Sequence, residues 1–170
     1  WLVMRKGPAP ARMEHLDLPV AGGSVPVRVY LPHGPGPHPL YVFLHGGGWC
    51  VGSLDERDPR CRAVVAGARC VVASVDYRLA PEHRFPVAVE DSYAALRWLV
   101  ANAGRLNVDA RRVAIGGESA GANLAAFVAL IDQLRQDTQQ AHLGQIIAKT
   151  LQASGLQAHY RSDKDGADRL

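Results

Sequence analysis

The chain has 170 residues, 48% of them hydrophobic and 21% charged, an ordinary globular mix for about one domain. Its 19 basic and 16 acidic residues leave a net charge of +3, too small and too scattered to argue for nucleic acid. Glycine falls in no period, which excludes a collagen-like repeat, and no apolar run reaches the roughly 20 residues of a membrane-spanning helix.

In chain order, Glu14–Val20 and Val25–Leu31 flank Ala21-Gly22-Gly23-Ser24 and read as a β-hairpin, with strand alternation at Val25, Val27 and Val29. His33–Pro39 is a Pro/Gly-rich loop. Leu40–Leu44 is a short, wholly apolar strand of the kind covered on both faces of a parallel sheet. Asp58-Pro59 offers an N-cap and a first-turn proline for a helix ending near Ala68. Cys70–Val75 reads as a second buried strand. Phe85-Pro86 opens another helix, with Val89, Tyr93, Leu96 and Val100 on one face. Val113–Ile115 reads as a third buried strand, and Gly121 to about Leu134 as a helix. Strands alternating with helices predict an α/β fold with a mainly parallel sheet and helices on both faces.

Two glycine-rich turns carry the chemistry. Gly117-Glu118-Ser119-Ala120-Gly121 is a G-x-S-x-G pentapeptide between an apolar strand and a helix, the context that such a nucleophile turn requires. The flanking glycines allow a turn sharp enough to hold the Ser119 hydroxyl out at the sheet's carboxyl edge, by the positive end of the next helix. The plain alternative is an ordinary strand-to-helix turn. Dinucleotide binding fits poorly, because Glu118 stands where the fingerprint's middle glycine belongs and would repel a pyrophosphate. No G-x-x-x-x-G-K is present either.

The second turn is His45-Gly46-Gly47-Gly48-Trp49, directly after the Leu40–Leu44 strand. Its glycines free backbone N–H groups to face one spot, where with the N–H of Ala120 they could hold an acyl-transfer oxyanion. A flexible glycine loop is the plain alternative. It weakens because both turns follow buried strands of one sheet.

Between them lies Asp76-Tyr77-Arg78-Leu79-Ala80-Pro81-Glu82-His83-Arg84-Phe85-Pro86. In this order the three motifs resemble the hormone-sensitive-lipase group of α/β-hydrolases, which includes bacterial carboxylesterases and arylacetamide deacetylases. The resemblance spans residues 14–131. It implies the amino-terminal part of an α/β-hydrolase fold, with Ser119 as nucleophile and the N–H groups of Gly47, Gly48 and Ala120 as oxyanion donors. Glu118 and Ala122 stand where the group more often has Asp and Gly, whereas Asn123 follows its pattern. His45, Gly46, Trp49 and Glu118 are candidate pocket residues. His45 is better suited to brace the loop than to act as base, and Trp49 to pack the pocket wall. Asp76, Arg78, Glu82 and His83 read first as ties within a proline-stiffened loop, with a pocket role second.

A serine nucleophile needs a histidine base oriented by a carboxylate, in the chain order Ser, Asp/Glu, His for this fold. Only His142 and His159 follow Ser119, and Asp163, Asp165 and Asp168 follow both. Asp132 and Asp137 lie on or just after the nucleophile helix. No complete triad is visible.

Composition also shifts here. All 11 prolines lie between Pro8 and Pro86, and every glutamine lies between Gln133 and Gln157. Residues 1–131 therefore read as an incomplete hydrolase core and 132–170 as a divergent, Gln-rich, helical or flexible tail. The tail is either a solvated extension or the product of a fusion, frameshift or splice variant. Leu143, Ile146, Ile147, Thr150 and Leu151 follow a helical stripe. With a helix there, the Val113–Ile115 strand would be an open apolar edge suited to self-association.

The three cysteines, Cys50, Cys61 and Cys70, form no C-x-x-C pair, so neither a disulfide framework nor a metal site is expected. A cytoplasmic location is the default. Arg5-Lys6 precedes Gly-Pro-Ala-Pro rather than an apolar core, and the Trp1 start reads as an internal cut without a signal peptide. The expectation is a cofactor-free serine ester hydrolase for small apolar esters, impaired as this chain. The alternative is a non-catalytic fragment of the same fold that binds a small ligand or regulates.

Overall fold

The computed structural model describes residues 7–138 together with Gln145, Lys149, Thr150, Gln152, Ala153 and Ser154. The chain divides into two compact units, residues 1–127 and 128–170. The expected boundary after residue 131 falls a turn further on, inside the helix that begins at Ala120.

The first unit holds a five-stranded sheet. β1 (Arg12–Val20) and β2 (Gly23–Leu31) form the expected hairpin, closed by Ala21-Gly22 with Val20 opposite Gly23. β3 (His38–Leu44), β4 (Val71–Val75) and β5 (Val108–Gly117) complete it in the order β1-β2-β4-β3-β5. The sheet is mixed, with a parallel part built on β3 and an antiparallel part built on β2. β3 runs parallel to β4 and β5, whereas β2 pairs antiparallel with β1 and with β4.

Strand alternation sends two sets of side chains to opposite faces. Tyr30, Phe43 and Val72 join Cys61 and Val65 of α1 (Leu54–Ala68) in one buried cluster, with Met13, Tyr41 and Val64 packed against it. Val27, Val29, Leu40, Val42, Ala73 and Val75 point the other way and are also buried. α2 (Val87–Ala101) packs against β1, β2 and β5. All five residues of β4 are buried, so both faces of the sheet are covered at its centre. Burying one such Val or Leu stabilises the fold by about 1.5–3 kcal/mol.

Three local expectations need correction. α1 starts at Ser53 rather than Asp58: the Ser53 hydroxyl accepts the Glu56 N–H at 3.4 Å, and Pro59 lies inside the helix. Asp58 is therefore a helix residue, and its carboxylate accepts from Tyr30 and Arg62 at 3.0 and 2.7 Å. Burial works against that charge, but these hydrogen bonds win and hold Asp58 below its ordinary pKa.

The buried face of α2 carries Ala88, Asp91, Ser92, Ala95, Leu96 and Leu99, so of the four expected core residues only Leu96 is fully buried. The helix is turned by Asp91, whose fully buried carboxylate accepts a two-pronged bond from Arg78, 2.7 and 2.9 Å, and the Arg78 backbone N–H at 3.0 Å. Arg78 also donates to Ala21 O at 2.9 Å, tying the hairpin turn to α2. The reading of Asp76–Pro86 as a tied loop holds at Arg78.

β5 is not a buried strand. Only Val108 is buried, and Val113, Ala114 and Ile115 are half-buried or exposed. It lies at the end of the sheet, so among the described residues one of its edges has no partner strand. Its register slips between His38 and Leu40 of β3, and in the slipped segment Asp109 accepts from Arg111 and Arg112.

In the second unit, α3 (Ala120–Thr138) continues from residue 128, and a shallow cleft is lined by Leu130, Gln133, Leu134, Lys149, Gln152 and Ala153. Of the expected stripe only Thr150 is described, and it is helical. Leu143, Ile146, Ile147 and Leu151 lie outside the described residues, as do His142, His159, Asp163, Asp165 and Asp168. Among the described residues, no helix is long and apolar enough to cross a membrane.

Candidate active site

Both glycine turns leave the carboxyl ends of neighbouring parallel strands. Leu44 and Gly117 are register partners at the ends of β3 and β5, so the turns emerge side by side. The Glu118 N–H donates to Leu44 O at 3.2 Å and locks one turn to the other. Gly121 sits directly against the Leu44 and His45 carbonyls, where a Cβ would strike backbone.

Ser119 occupies the corner between β5 and α3. Its φ of 49° is left-handed, a conformation unfavourable for a non-glycine residue by about 1–2 kcal/mol. Hydrogen bonds to the carbonyls of Ser119 and of the residue before it hold that strain: Gly121 N–H donates to Glu118 O at 2.8 Å, and Asn123 N–H to Ser119 O at 3.1 Å. Ser119 is exposed while Ala120 and Gly121 are buried, so the corner lifts its hydroxyl from the surface at the α3 N-terminus. A strained residue at such a corner points to function.

The loop after β3 is built around His45, which is fully buried. Its ring stacks on Tyr77 with centroids 4.3 Å apart, and Tyr77 Oη donates to His45 O at 2.7 Å. Burial pushes the Tyr77 phenol up to about 12, so it stays a donor. Gly47 (φ 132°) and Gly48 (φ 59°) carry the loop through backbone angles closed to most side chains, and Cys50 and Val51 N–H close it on Gly47 O at 3.1 Å. Trp49 O accepts the Ala80 N–H at 2.9 Å, joining this loop to the segment after β4. The N–H groups of Gly47, Gly48 and Ala120 find no acceptor among the described residues.

Beside these turns lies an apolar cavity of about 450 Å³. Gly48 and Trp49 line it, as do Ala80, Phe85, Leu124 and Phe127. His45, Gly46 and Glu118 do not. His45 lies beneath the loop, and Glu118 turns to α1, where it pairs with Arg60 and with Arg57 at 3.4 Å. His83 lines the cavity too, the pocket role that ranked second for it.

Sequence reading missed the contribution of α3. Asn123 and Phe127 are one helical turn apart and both line the cavity, a spacing visible once the helix is placed. Among the described residues, no histidine hydrogen-bonds Ser119, and no cluster of His, Cys, Asp or Glu could hold a metal ion.

A family model described as alpha/beta hydrolase fold matches residues 41–168. Carboxylesterase NlhH of Mycobacterium tuberculosis is 50% identical over 115 residues, covering 67% of this chain and 35% of the relative. Carboxylic ester hydrolase LipN of the same organism is 50% identical over 114 residues, 66% of this chain and 30% of the relative. The chain thus spans about a third of the length of these curated relatives. Among solved structures, EstE1, a thermostable carboxylesterase cloned from a metagenomic library, superposes with a TM-score of 0.76 at 44% identity, covering 79% of this chain and 45% of that one. An esterase of Pyrobaculum calidifontis gives 0.76 at 44% identity over 78% of this chain and 43% of its own. The resemblance drawn from the three motifs is upheld, and the chain belongs to the alpha/beta hydrolase fold family.

Proposed function

We propose that this chain carries the nucleophile and oxyanion half of a carboxylic ester hydrolase that works through an acyl-enzyme. Ser119 Oγ attacks the carbonyl carbon of a small apolar ester. The N–H groups of Gly47, Gly48 and Ala120 take the oxyanion, a task in which one donor is typically worth about 10²–10³ in turnover. The alcohol leaves with the proton that Ser119 Oγ gave up, and water then releases the acid and restores the Ser119 hydroxyl. No cofactor is required. The observation that carries this reading is the strained, exposed Ser119 corner locked to the glycine loop through Leu44 O.

Among the described residues no histidine hydrogen-bonds Ser119, and slow hydrolysis is the behaviour expected of this chain alone. Incubation with p-nitrophenyl acetate, beside the Ser119→Ala variant, tests the assignment. The expected result is slow p-nitrophenol release with an acetyl adduct on the Ser119 peptide by mass spectrometry, both lost in the variant. Equal release and no adduct would sink the nucleophile. The second reading, a fragment that binds a small apolar molecule without turnover, would then stand, and the apolar cavity beside Gly48 favours it.

A further inference from the structure

Glu118 meets the segment around the glycine loop at three places. Its N–H donates to the carbonyl of Leu44, the last residue before the loop. Its backbone presses on Gly46, where an added Cβ would lie 2.9 Å from Glu118 O and 3.5 Å from Glu118 Cβ. Its carboxylate reaches past the loop to α1, the helix into which the loop runs at Ser53. There it pairs with Arg60 and, at 3.4 Å, with Arg57. These two arginines stand three residues apart on one face of α1.

The loop itself is a closed piece. Val51 N–H returns to Gly47 O at 3.1 Å, and Gly52 lies so close to His45 that a Cβ would strike the ring. A closed piece held at one point can still swing about it, and a second hold on the far side stops the swing. The near hold is backbone and survives any side chain at position 118. The far hold is the carboxylate. Arg57 and Glu118 side chains are each 26% exposed, against 60% for Arg60, so salt screens the Arg57 pair less. Burial pushes the Tyr77 phenol up and the Arg57 charge pulls against it, so Arg57 is also within reach of the anchor beneath the loop.

We propose that Glu118 is a positioning residue: with its N–H on Leu44 O and its carboxylate on Arg57, it fixes the glycine loop from both ends relative to Ser119, its neighbour in the chain. The spacing so fixed is the one between the Ser119 hydroxyl and the Gly47 and Gly48 N–H groups. Glu118 does not line the cavity, so its carboxylate acts on loop geometry and not on ester binding. The consequence for turnover rests on the proposed roles of Ser119 and the glycines. The tie itself does not.

Nuclear magnetic resonance of the whole chain, with Glu118→Gln, Arg57→Gln and the double variant, tests the tie without using activity. The Gly47 and Gly48 amides, far from residue 118 in sequence, should shift in each single variant. The double variant should move them no further than the larger single change, as one shared interaction requires. In the same variants, acetylation of Ser119 by saturating p-nitrophenyl acetate should slow by about tenfold, less than the roughly 10²–10³ of a lost oxyanion donor. The half-saturating ester concentration should stay the same. An ordinary surface ion pair would move neither the glycine amides nor this rate. Glycine amides that stay still, shifts that add in the double variant, or undiminished acetylation in Glu118→Gln would each overturn the proposal. If Glu118→Gln does not fold, Arg57→Gln decides, because it leaves the sequence of both turns intact. No Ser119 acetylation in the unmutated chain beside coupled amide shifts removes the catalytic reading and leaves the tie standing; serine-dependent acetylation beside unmoved amides does the opposite.

Discussion

The two turns at the sheet's carboxyl edge start from the same material, glycines after a strand, and are held by opposite means. The loop after β3 is held from inside, by a buried His45, its stacked Tyr77 and the phenol bound to the His45 carbonyl. The turn after β5 is held by backbone fit against Leu44 O, with the Arg57 and Arg60 pairs to Glu118 at the surface. The difference matches what each must present. The serine corner has to keep a strained residue still, which close backbone contact does well. The glycine loop leaves the Gly47 and Gly48 N–H groups without an acceptor among the described residues, and its anchors sit beneath it.

Substitutions graded by this contrast should separate the two designs. Gly121→Ala should be the most damaging, by about 3 kcal/mol in urea unfolding, because its Cβ meets backbone carbonyls that cannot rotate away. A loss under about 1 kcal/mol would mean that the serine corner is not held by backbone fit. Gly48→Ala should lose only about 1–2 kcal/mol, since no atom lies within 4 Å of its Cβ and the penalty is the left-handed φ of 59° alone. Arg60→Ala should change stability least, by less than about 1 kcal/mol, and the effect should fade in high salt, because the Arg60 side chain is 60% exposed. A salt-independent loss would show the Glu118 pairs to be structural anchors after all.

What the sequence revealed was mostly local. The hairpin, β3, β4 and the strand–serine–helix corner each depend on a few neighbouring residues whose pattern is explicit. The start of α1 was also local but was misread: Ser53 and Glu56 have the spacing of a capping pair, and Asp58-Pro59 offered a competing signal. The remaining errors come from partners far away in the chain. Nothing near Asp91 reveals that Arg78 will draw a carboxylate into the buried face of α2. Likewise, the apolar Val113–Ile115 run reads as buried, and only the strand order puts it at an end of the sheet. Of the site, the motifs identified the turns, but the cavity wall from Asn123 to Phe127 needed the helix to be placed first.

The bond from Glu118 N–H to Leu44 O has a consequence for how the protein comes into being. It joins segments separated by α1, β4, α2 and β5, so its closure waits on a long loop whose entropy must be overcome first. The hairpin can zip early from its two-residue turn; the serine corner cannot. During synthesis or refolding, Ser119 is therefore an unremarkable hydroxyl until β5 docks beside β3. The strained, exposed geometry of this corner is therefore acquired only once the two distant strands lie side by side.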